Sequence, residues 1–252
     1  MGFKDLHLKL KTFWLRRLVA GDVGRRKKKS ENGKRPSWMM PISHGYYVVE
    51  DQPSRSDGSN ESELDSVVVQ REQIEEIELW FFGVLDARIG NEVIKYMQLH
   101  LFDDKPKESD IRRKSKETMK NAYLGARVKI RETEKAEETW KVGSASAIVI
   151  NGDKLVIANM GDYRAVHATR AVQQALSPPR AQNSLLDAKG IDSDTEFVIL
   201  ASTGIWEVMK QQEAVNLIRH IEDPREAAEC LAKEALIRMS RSNISCLVIR
   251  LD

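Results

Sequence analysis

Short apolar runs alternate with amphipathic stretches along the chain from His44 onward. Leu79–Leu85 is an apolar run that ends at Asp86, and its length is typical of a buried strand. The next segment, Asn91–Phe102, repeats apolar residues at the spacing of one helical face, namely Val93, Ile94, Met97 and Leu101. The pattern therefore predicts a strand, a short turn and a helix.

A β-hairpin is predicted between residues 144 and 158. Two apolar runs, Ser144–Ile150 and Leu155–Ala158, flank Asn151-Gly152-Asp153. The Asn-Gly pair readily adopts the positive φ angles of a tight hairpin turn. Five further runs share the composition of strands, and these are Gly45–Val49, Val67–Val69, Arg164–Ala168, Phe197–Ser202 and Ser245–Leu251.

Helix and loop signals separate these strands. Asp223-Pro224-Arg225-Glu226 combines an N-cap aspartate, a first-turn proline and a capping-box glutamate, so we expect a helix from there through Met239. Residues 51–63 are polar and turn-rich, and Ser177-Pro178-Pro179 with the polar residues after it continues neither a helix nor a strand. Strands with interspersed helices predict an α+β sheet protein.

The composition is that of a globular protein. The 252 residues are 41% hydrophobic, which suffices for one domain of about 210 residues with a substantial core. No stretch approaches the roughly 20 apolar residues of a membrane span, and the N-terminus lacks the features of a secretory signal. Because Cys230 and Cys246 are the only cysteines, a disulfide framework is not expected. We expect a cytoplasmic or nuclear protein.

Charge divides the chain into two parts. Residues 1–36 carry 12 Lys/Arg against three acids, a local charge of +9, whereas the remaining residues carry −7. Apolar and basic residues alternate from Leu6 to Leu18 as in a short basic amphipathic helix, and residues 25–29 read RRKKK. Such a segment suits contact with an anionic membrane or nucleic acid, and a solvated flexible leader is the alternative. We therefore separate a basic tail, residues 1–41, from a domain, residues 42–252.

Six stretches carry distinctive residues in a fixed order, and these are His44–Tyr46, Phe82–Gly90, Gly143–Ala147, Leu155–Val166, Phe197–Met209 and Arg241–Ser245. Leu155–Val166 reads LVIANMGDYRAV, close to Leu-x-Val-Ala-Asn-Val-Gly-Asp-Ser-Arg-Ala-Val. Phe197–Met209 reads FVILASTGIWEVM, close to Phe-Leu-Ile-Leu-Ala-Ser-Asp-Gly-Leu-Trp-Asp-Val. Both patterns belong to the protein phosphatase 2C family, and the chain resembles its plant members most. The resemblance implies the family's β-sandwich flanked by helices.

The resemblance also implies a chemistry. Family members hold two Mg²⁺ or Mn²⁺ ions with several aspartates and one glutamate, and a bridging water attacks the phosphorus of a phosphoserine or phosphothreonine. Hard dications need oxygen ligands and several negative charges, so the carboxylates are indispensable to the reaction.

Three positions retain the family's metal-binding capacity. Asp86 stands at the first aspartate, and Ala87 at the following position offers a backbone carbonyl. The family's Met-Glu-Asp falls by spacing on Glu63-Leu64-Asp65, so Asp65 matches the aspartate. The residual metal candidates are thus Asp65, Asp86 and the Ala87 backbone. Asp162 is read as an ordinary turn residue, because the family does not use this position for metal.

Four positions depart from the family, so that no catalytic residue is intact. Leu64 replaces the glutamate, Thr203 and Ser242 replace two aspartates, and Arg88 replaces the histidine that protonates the leaving group. Arginine does not give up a proton near neutral pH. Of five acidic positions two remain, so we expect metal affinity to fall severely. We expect Arg88 to pair with Asp86 or Asp65 and supply positive charge in place of the metals.

The domain is also shortened between about residues 167 and 194. Only 27 residues separate Val166 from Asp194, where the family has a longer segment with sheet strands and the flap beside the active site. We therefore expect part of the central sheet and the flap to be missing. A sheet that loses strands must expose edges, pair them differently or recruit a partner, so reduced stability or association is predicted.

The leading interpretation is a catalytically inactive pseudophosphatase that acts, if at all, by binding a phosphoprotein or a protein kinase. No cofactor is then expected. The alternative is a weak Mg²⁺- or Mn²⁺-dependent protein serine/threonine phosphatase that uses Asp65, Asp86 and backbone oxygens. Two further alternatives are a binder that acts through the basic tail and a drifted family member without a selected function.

Overall fold

The computed structural model describes residues 41–49, 65–74, 77–103, 108–133, 144–151, 154–169, 186–191 and 194–251. Several sequence-based expectations fall outside these ranges. They are the basic tail before residue 41, the polar loop 51–63, Leu64, the hairpin turn at Gly152-Asp153 and the Ser177-Pro178-Pro179 segment.

Nine strands are present in the described part of the chain, and they form two antiparallel sheets. In chain order they are β1 Ile42–Val48, β2 Ser66–Ile74, β3 Ile77–Leu85, β4 Ala145–Asn151, β5 Lys154–Met160, β6 Arg164–Thr169, β7 Leu186–Gly190, β8 Thr195–Ala201 and β9 Ser245–Leu251. One sheet has the order β2-β3-β4-β5-β7, and the other has the order β1-β9-β8-β6. The predicted hairpin is confirmed, because β4 pairs with β5 from Asn151 and Lys154 outward.

Five α-helices flank these sheets within the described ranges. They are α1 Ala87–Gln98, α2 Glu108–Thr133, α3 Thr203–Trp206, α4 Gln211–Ile218 and α5 Pro224–Ile237. A π-helical turn, Leu99–Asp103, extends α1, so the predicted helix through Phe102 is one α-helix with a π turn. The α+β prediction is confirmed. None of the described helices is long and apolar enough to cross a membrane.

The core has three layers. Alternate residues of β3 point to opposite faces, so Trp80, Phe82 and Val84 join the cluster between the two sheets. Phe81 and Leu85 pack instead with Ile89, Val93 and Met97 of α1 and with α2. A third cluster joins the outer face of the second sheet to α3, α4 and α5. Because β3 is buried on both faces, its sequence is continuously apolar rather than alternating.

The shortened region retains one strand that the sequence pattern did not predict. Leu186–Gly190 forms β7, which pairs antiparallel with β5 from Leu186 opposite Ala158 to Gly190 opposite Lys154. The expectation that the residues after Ser177-Pro178-Pro179 continue no strand is therefore wrong for this stretch. Its five residues, LDAKG, include only two apolar ones, so the sequence carries a weak strand signal. The edge of β5 is thus paired with β7.

The start of α5 is fixed by a cap and by a glycine. Asp223 Oδ1 accepts hydrogen bonds from the backbone N–H groups of Arg225 at 2.7 Å and Glu226 at 3.1 Å, as the predicted N-cap requires. Pro224 occupies the first turn. A β-carbon at Gly45 of β1 would overlap the backbone of Pro224 and Arg225. The helix therefore approaches β1 backbone to backbone, which only glycine permits.

We predict that Gly45→Ala destabilises the domain by about 3 kcal/mol, because the atoms that its β-carbon would meet are backbone and cannot rotate away. The melting temperature, followed by circular dichroism, should fall by roughly 6–12 °C.

The matched control is Gly125→Ala in α2, where an added β-carbon has nothing within 4 Å. Alanine favours the helix over glycine by up to about 1 kcal/mol, so this variant should melt at or above the wild-type temperature. Equal melting temperatures for the Gly45→Ala and Gly125→Ala variants would contradict the close approach of α5 to β1.

Candidate functional site

The register of β2 and β3 brings the two retained aspartates to one end of the first sheet. The pairing ends with Ser66 opposite Leu85. Asp65 immediately precedes β2 and Asp86 immediately follows β3, so the two residues lie side by side one step beyond the last pair. Burial is the main cause that raises the pKa of Asp65, and the neighbouring carboxylate of Asp86 raises it further.

Asp65 is buried and held by two donors from distant parts of the chain. Its side-chain oxygen Oδ1 accepts hydrogen bonds from the Tyr163 hydroxyl at 2.6 Å and from Asn243 Nδ2 at 3.3 Å. Among the described residues, no group donates a hydrogen bond to Oδ2, although this atom is buried, and the Ser245 side chain also acts to lower the pKa of Asp65. Burial raises the pKa of Asp65 above its ordinary value, and the hydrogen bonds only partly offset this effect.

Tyr163 lies in the core between the two sheets, at the beginning of β6. Burial raises its pKa, and the neighbouring charge of Asp65 raises it further. The phenol therefore stays protonated at physiological pH and donates its hydrogen to Asp65.

The turn before Tyr163 is tied to the end of β3. Gly161 has a φ of +66°, and a β-carbon there would overlap the Ser144 side chain. Ser144 Oγ accepts from the Asp162 N–H at 3.0 Å, and the Ser144 carbonyl accepts from the Asp86 N–H at 2.8 Å. One serine thus links the turn that positions Tyr163 to the residue that ends β3. Asp162 itself is exposed at this turn.

The positions of the two replaced aspartates lie on neighbouring segments, at the end of β8 and before β9. The Gly204 N–H donates to the Asn243 carbonyl at 3.1 Å, and the Ser202 hydroxyl donates to the same carbonyl at 2.5 Å. Thr203 begins α3 between these two donors, and Ser242 directly precedes Asn243. Because Asn243 also contacts Asp65, the structure brings the Thr203 and Ser242 segments to the same end of the sandwich as Asp65 and Asp86.

Glu207 holds the loop that contains Ser242. Its Oε1 accepts from the Ser240 hydroxyl at 2.7 Å and from the N–H groups of Arg241 at 2.7 Å and Ser242 at 3.0 Å. Its Oε2 accepts from the Ser242 hydroxyl at 2.8 Å. Partial burial acts to raise the pKa of Glu207, but these hydrogen bonds together outweigh it and lower the pKa below its ordinary value.

The sequence analysis did not single out three residues that form the hydrogen bonds described above, namely Tyr163, Glu207 and Asn243. Tyr163 stands where the family pattern has a serine, and Glu207 stands where it has an aspartate, so both departures were visible in the aligned patterns. Asn243 follows the replaced aspartate at position 242, and the sequence gives no sign that its amide reaches Asp65.

The remaining site predictions fall on residues whose side chains lie outside the described part. The backbone of Ala87 and Arg88 begins α1, but their side chains, like all of Leu64, are not described. The predicted pairing of Arg88 with Asp86 or Asp65 therefore stays a prediction. Within the described ranges, no group of three or more His, Cys, Asp or Glu side chains is placed to hold a metal ion.

Comparison with known proteins bears directly on this arrangement. Residues 52–180 and 186–244 match the family Protein phosphatase 2C. The chain belongs to the protein phosphatase 2C family. Protein phosphatase 2C-like protein 44 of Arabidopsis thaliana is 48% identical, with 99% of both chains covered. Protein phosphatase 2C 58 of the same plant is 32% identical over 92% of this chain and 93% of its own length. The expected relationship to plant-type members is confirmed.

Solved structures show the same fold. The serine/threonine phosphatase Stp1 of Staphylococcus aureus matches with a TM-score of 0.59 at 12% identity, covering 88% of this chain and 100% of its own. The catalytic domain of the serine/threonine phosphatase PstP, solved with two manganese ions, matches with a TM-score of 0.57 at 15% identity. The match covers 85% of this chain and 100% of the PstP chain. The predicted sandwich of the protein phosphatase 2C fold is therefore confirmed.

We predict that Glu207→Gln destabilises the domain by about 1 kcal/mol at pH 7, after discounting for the exposure of this side chain. A carboxylate with a lowered pKa stabilises the fold above its ordinary pKa of 4.5, and this contribution is lost as the pH falls through the folded-state pKa. The difference between the variant and the wild type in urea unfolding should therefore shrink as the pH is lowered below 4.5.

Glu229→Gln is the control, because Glu229 forms an exposed helix pair with Lys233 at 2.7 Å. Such pairs contribute about 0.5 kcal/mol or less. The free energy of unfolding of this variant should therefore stay close to that of the wild type at pH 7 and below pH 4.5. A Glu207→Gln effect that does not change with pH would argue against the charged hydrogen bonds to the 240–242 loop.

Proposed function

We propose that this family member is a pseudophosphatase, a protein phosphatase 2C-fold protein that does not hydrolyse phosphoserine or phosphothreonine. The observation that carries this proposal is the hydrogen bond formed by the Ser242 hydroxyl. It stands at a position where the family has a metal-binding aspartate, and its hydroxyl donates to Glu207 at 2.8 Å. A hydroxyl committed as a donor to a carboxylate is a poor replacement for an anionic oxygen ligand.

The charge of the site supports the same conclusion. Two hard dications close together require several carboxylates. Thr203 and Ser242 are neutral, and Asp65 already accepts two hydrogen bonds through one oxygen. The side chains described at this end of the sandwich therefore fit a pair of Mg²⁺ or Mn²⁺ ions poorly, and we derive no catalytic step through such ions.

Arg88 supports the proposed loss of leaving-group protonation. It replaces the histidine that the family credits with protonating the leaving group, and a guanidinium does not give up a proton near neutral pH. We propose that it pairs with Asp86 or Asp65 and balances charge that metals balance in active members. Tight Mn²⁺ binding by the Arg88→His variant alone would contradict this role.

A family member without turnover can still act by binding. We propose that the partner is a protein that carries phosphoserine or phosphothreonine, or the kinase that phosphorylates it, because the family's fold is built around such substrates. Fluorescence anisotropy with labelled phosphoserine peptides tests the first of these. Equal affinity for phosphorylated and unphosphorylated peptides would argue against recognition of the phosphate.

We predict that the wild-type protein shows neither Mn²⁺ nor Mg²⁺ binding in calorimetry nor hydrolysis of a phosphoserine peptide in the same samples. Thr203→Asp with Ser242→Asp should bind Mn²⁺ more tightly, since it adds two carboxylates, whereas Thr203→Asn with Ser242→Asn controls for size without charge. Micromolar metal binding with turnover by the wild type would overturn the proposal.

The alternative is a weak metal-dependent phosphatase, and the retention of Asp65 beside Asp86 is the observation that favours it. Under this alternative, metal-dependent turnover by the wild type should disappear in the Asp86→Asn variant. Turnover that survives Asp86→Asn would point to a contaminating phosphatase instead.

A further inference from the structure

We infer that the Tyr163 hydroxyl withdraws Oδ1 of Asp65 from metal coordination and leaves only Oδ2, so that Tyr163 weakens metal binding independently of the replaced acids. This inference rests on the proposed loss of the metal centre and identifies a residue that keeps it lost. Tyr163 acts through Asp65 and is therefore a positioning residue.

The first support is the geometry at Asp65. The Tyr163 hydroxyl lies 2.6 Å from Oδ1, and Asn243 Nδ2 lies 3.3 Å from the same atom. A carboxylate whose Oδ1 accepts two hydrogen bonds cannot also use that oxygen for a metal ion without giving up a donor. Asp65 can then no longer offer both of its oxygens to ions in the site.

The second support is the rigidity of the tyrosine. Tyr163 is 4% exposed and belongs to the buried cluster between the sheets, which also contains Val84 and Leu247. The preceding turn is fixed by Gly161 in a positive-φ conformation and by the hydrogen bond from Asp162 N–H to Ser144 Oγ. The hydroxyl therefore cannot leave Asp65 by a simple side-chain rotation, because the surrounding core is close-packed.

The third support is the nature of the donor. The phenol O–H lies 2.6 Å from Oδ1 and satisfies this buried carboxylate oxygen without bringing a full positive charge. The serine of the family pattern at this position is much smaller and carries no ring into the core. The exchange of serine for tyrosine thus places a hydrogen-bond donor on the same acid that the family uses for metal.

The test compares proteins that differ only at position 163. The background restores the family residues by Leu64→Glu, Arg88→His, Thr203→Asp and Ser242→Asp, and Mn²⁺ affinity is measured by calorimetry and by electron paramagnetic resonance of free Mn²⁺. In this background, Tyr163→Phe removes the hydroxyl and keeps the ring. We expect the dissociation constant for Mn²⁺ to fall about tenfold, because the ion no longer has to displace a hydrogen bond to a charged oxygen. Circular dichroism verifies that each protein is folded.

Two further variants separate the hydroxyl from other effects. Tyr123→Phe in the same background removes another buried hydroxyl, which donates to the Ala158 carbonyl at 3.4 Å, and should leave Mn²⁺ affinity unchanged. Tyr163→Ser introduces the residue of the family pattern and should gain at least as much affinity as Tyr163→Phe.

The outcomes are distinct from those that test the proposed function. Equal Mn²⁺ affinity with and without the Tyr163 hydroxyl, including binding by neither protein, would overturn this inference. A gain with Tyr163→Ser alone would also overturn it, because ring volume rather than the hydroxyl would then be responsible. Metal binding and turnover by the wild type would instead overturn the proposed function.

Discussion

Two carboxylates that meet at one end of a buried sheet must be neutralised, and much of the local structure serves this requirement. The pairing of β2 with β3 places Asp65 and Asp86 side by side, whatever else surrounds them. In an active member of this family, metal ions supply the compensating charge. Here the described contacts to Asp65 are neutral donors, Tyr163 and Asn243, which satisfy its Oδ1 without a cation. A hydroxyl and an amide thus partly offset the effect of burial on this carboxylate.

Asp65 and Glu207 each accept several hydrogen bonds, and they illustrate how the environment of a carboxylate decides its ionisation. Asp65 is buried in the sandwich, and its pKa is raised in spite of its hydrogen bonds. Glu207 is exposed and accepts four hydrogen bonds from the 240–242 loop, and its pKa is lowered. Desolvation dominates in the first case and hydrogen bonding in the second. Glu207 therefore stabilises its loop as a charged group, whereas charge on Asp65 is a cost to the fold.

The sequence predicted most strands because they are buried and short, and because turn residues mark their ends. Leu79–Leu85, the Asn151 hairpin and Ser245–Leu251 all belong to this class. It did not predict α2, in which charged residues are frequent. Among the described side chains of this helix, the buried ones are Ser115, Met119, Ala122, Tyr123 and Ala126. The sequence also did not predict β7, because only two of its five residues are apolar and no local apolar pattern records its pairing with β5.

The sequence by itself determined the family of this protein, because membership is a property of residues at fixed places in aligned patterns. Only the tertiary structure decided which groups contact Asp65. Tyr163 and Asn243 are 98 and 178 residues from Asp65 along the chain, and both reach the same carboxylate oxygen. Hydrogen bonds of this kind depend on how β2, β6 and the segment before β9 converge at one end of the sandwich. The sequence shows which hydrogen-bond donors are present, but the packing of the two sheets decides which acceptor each donor binds.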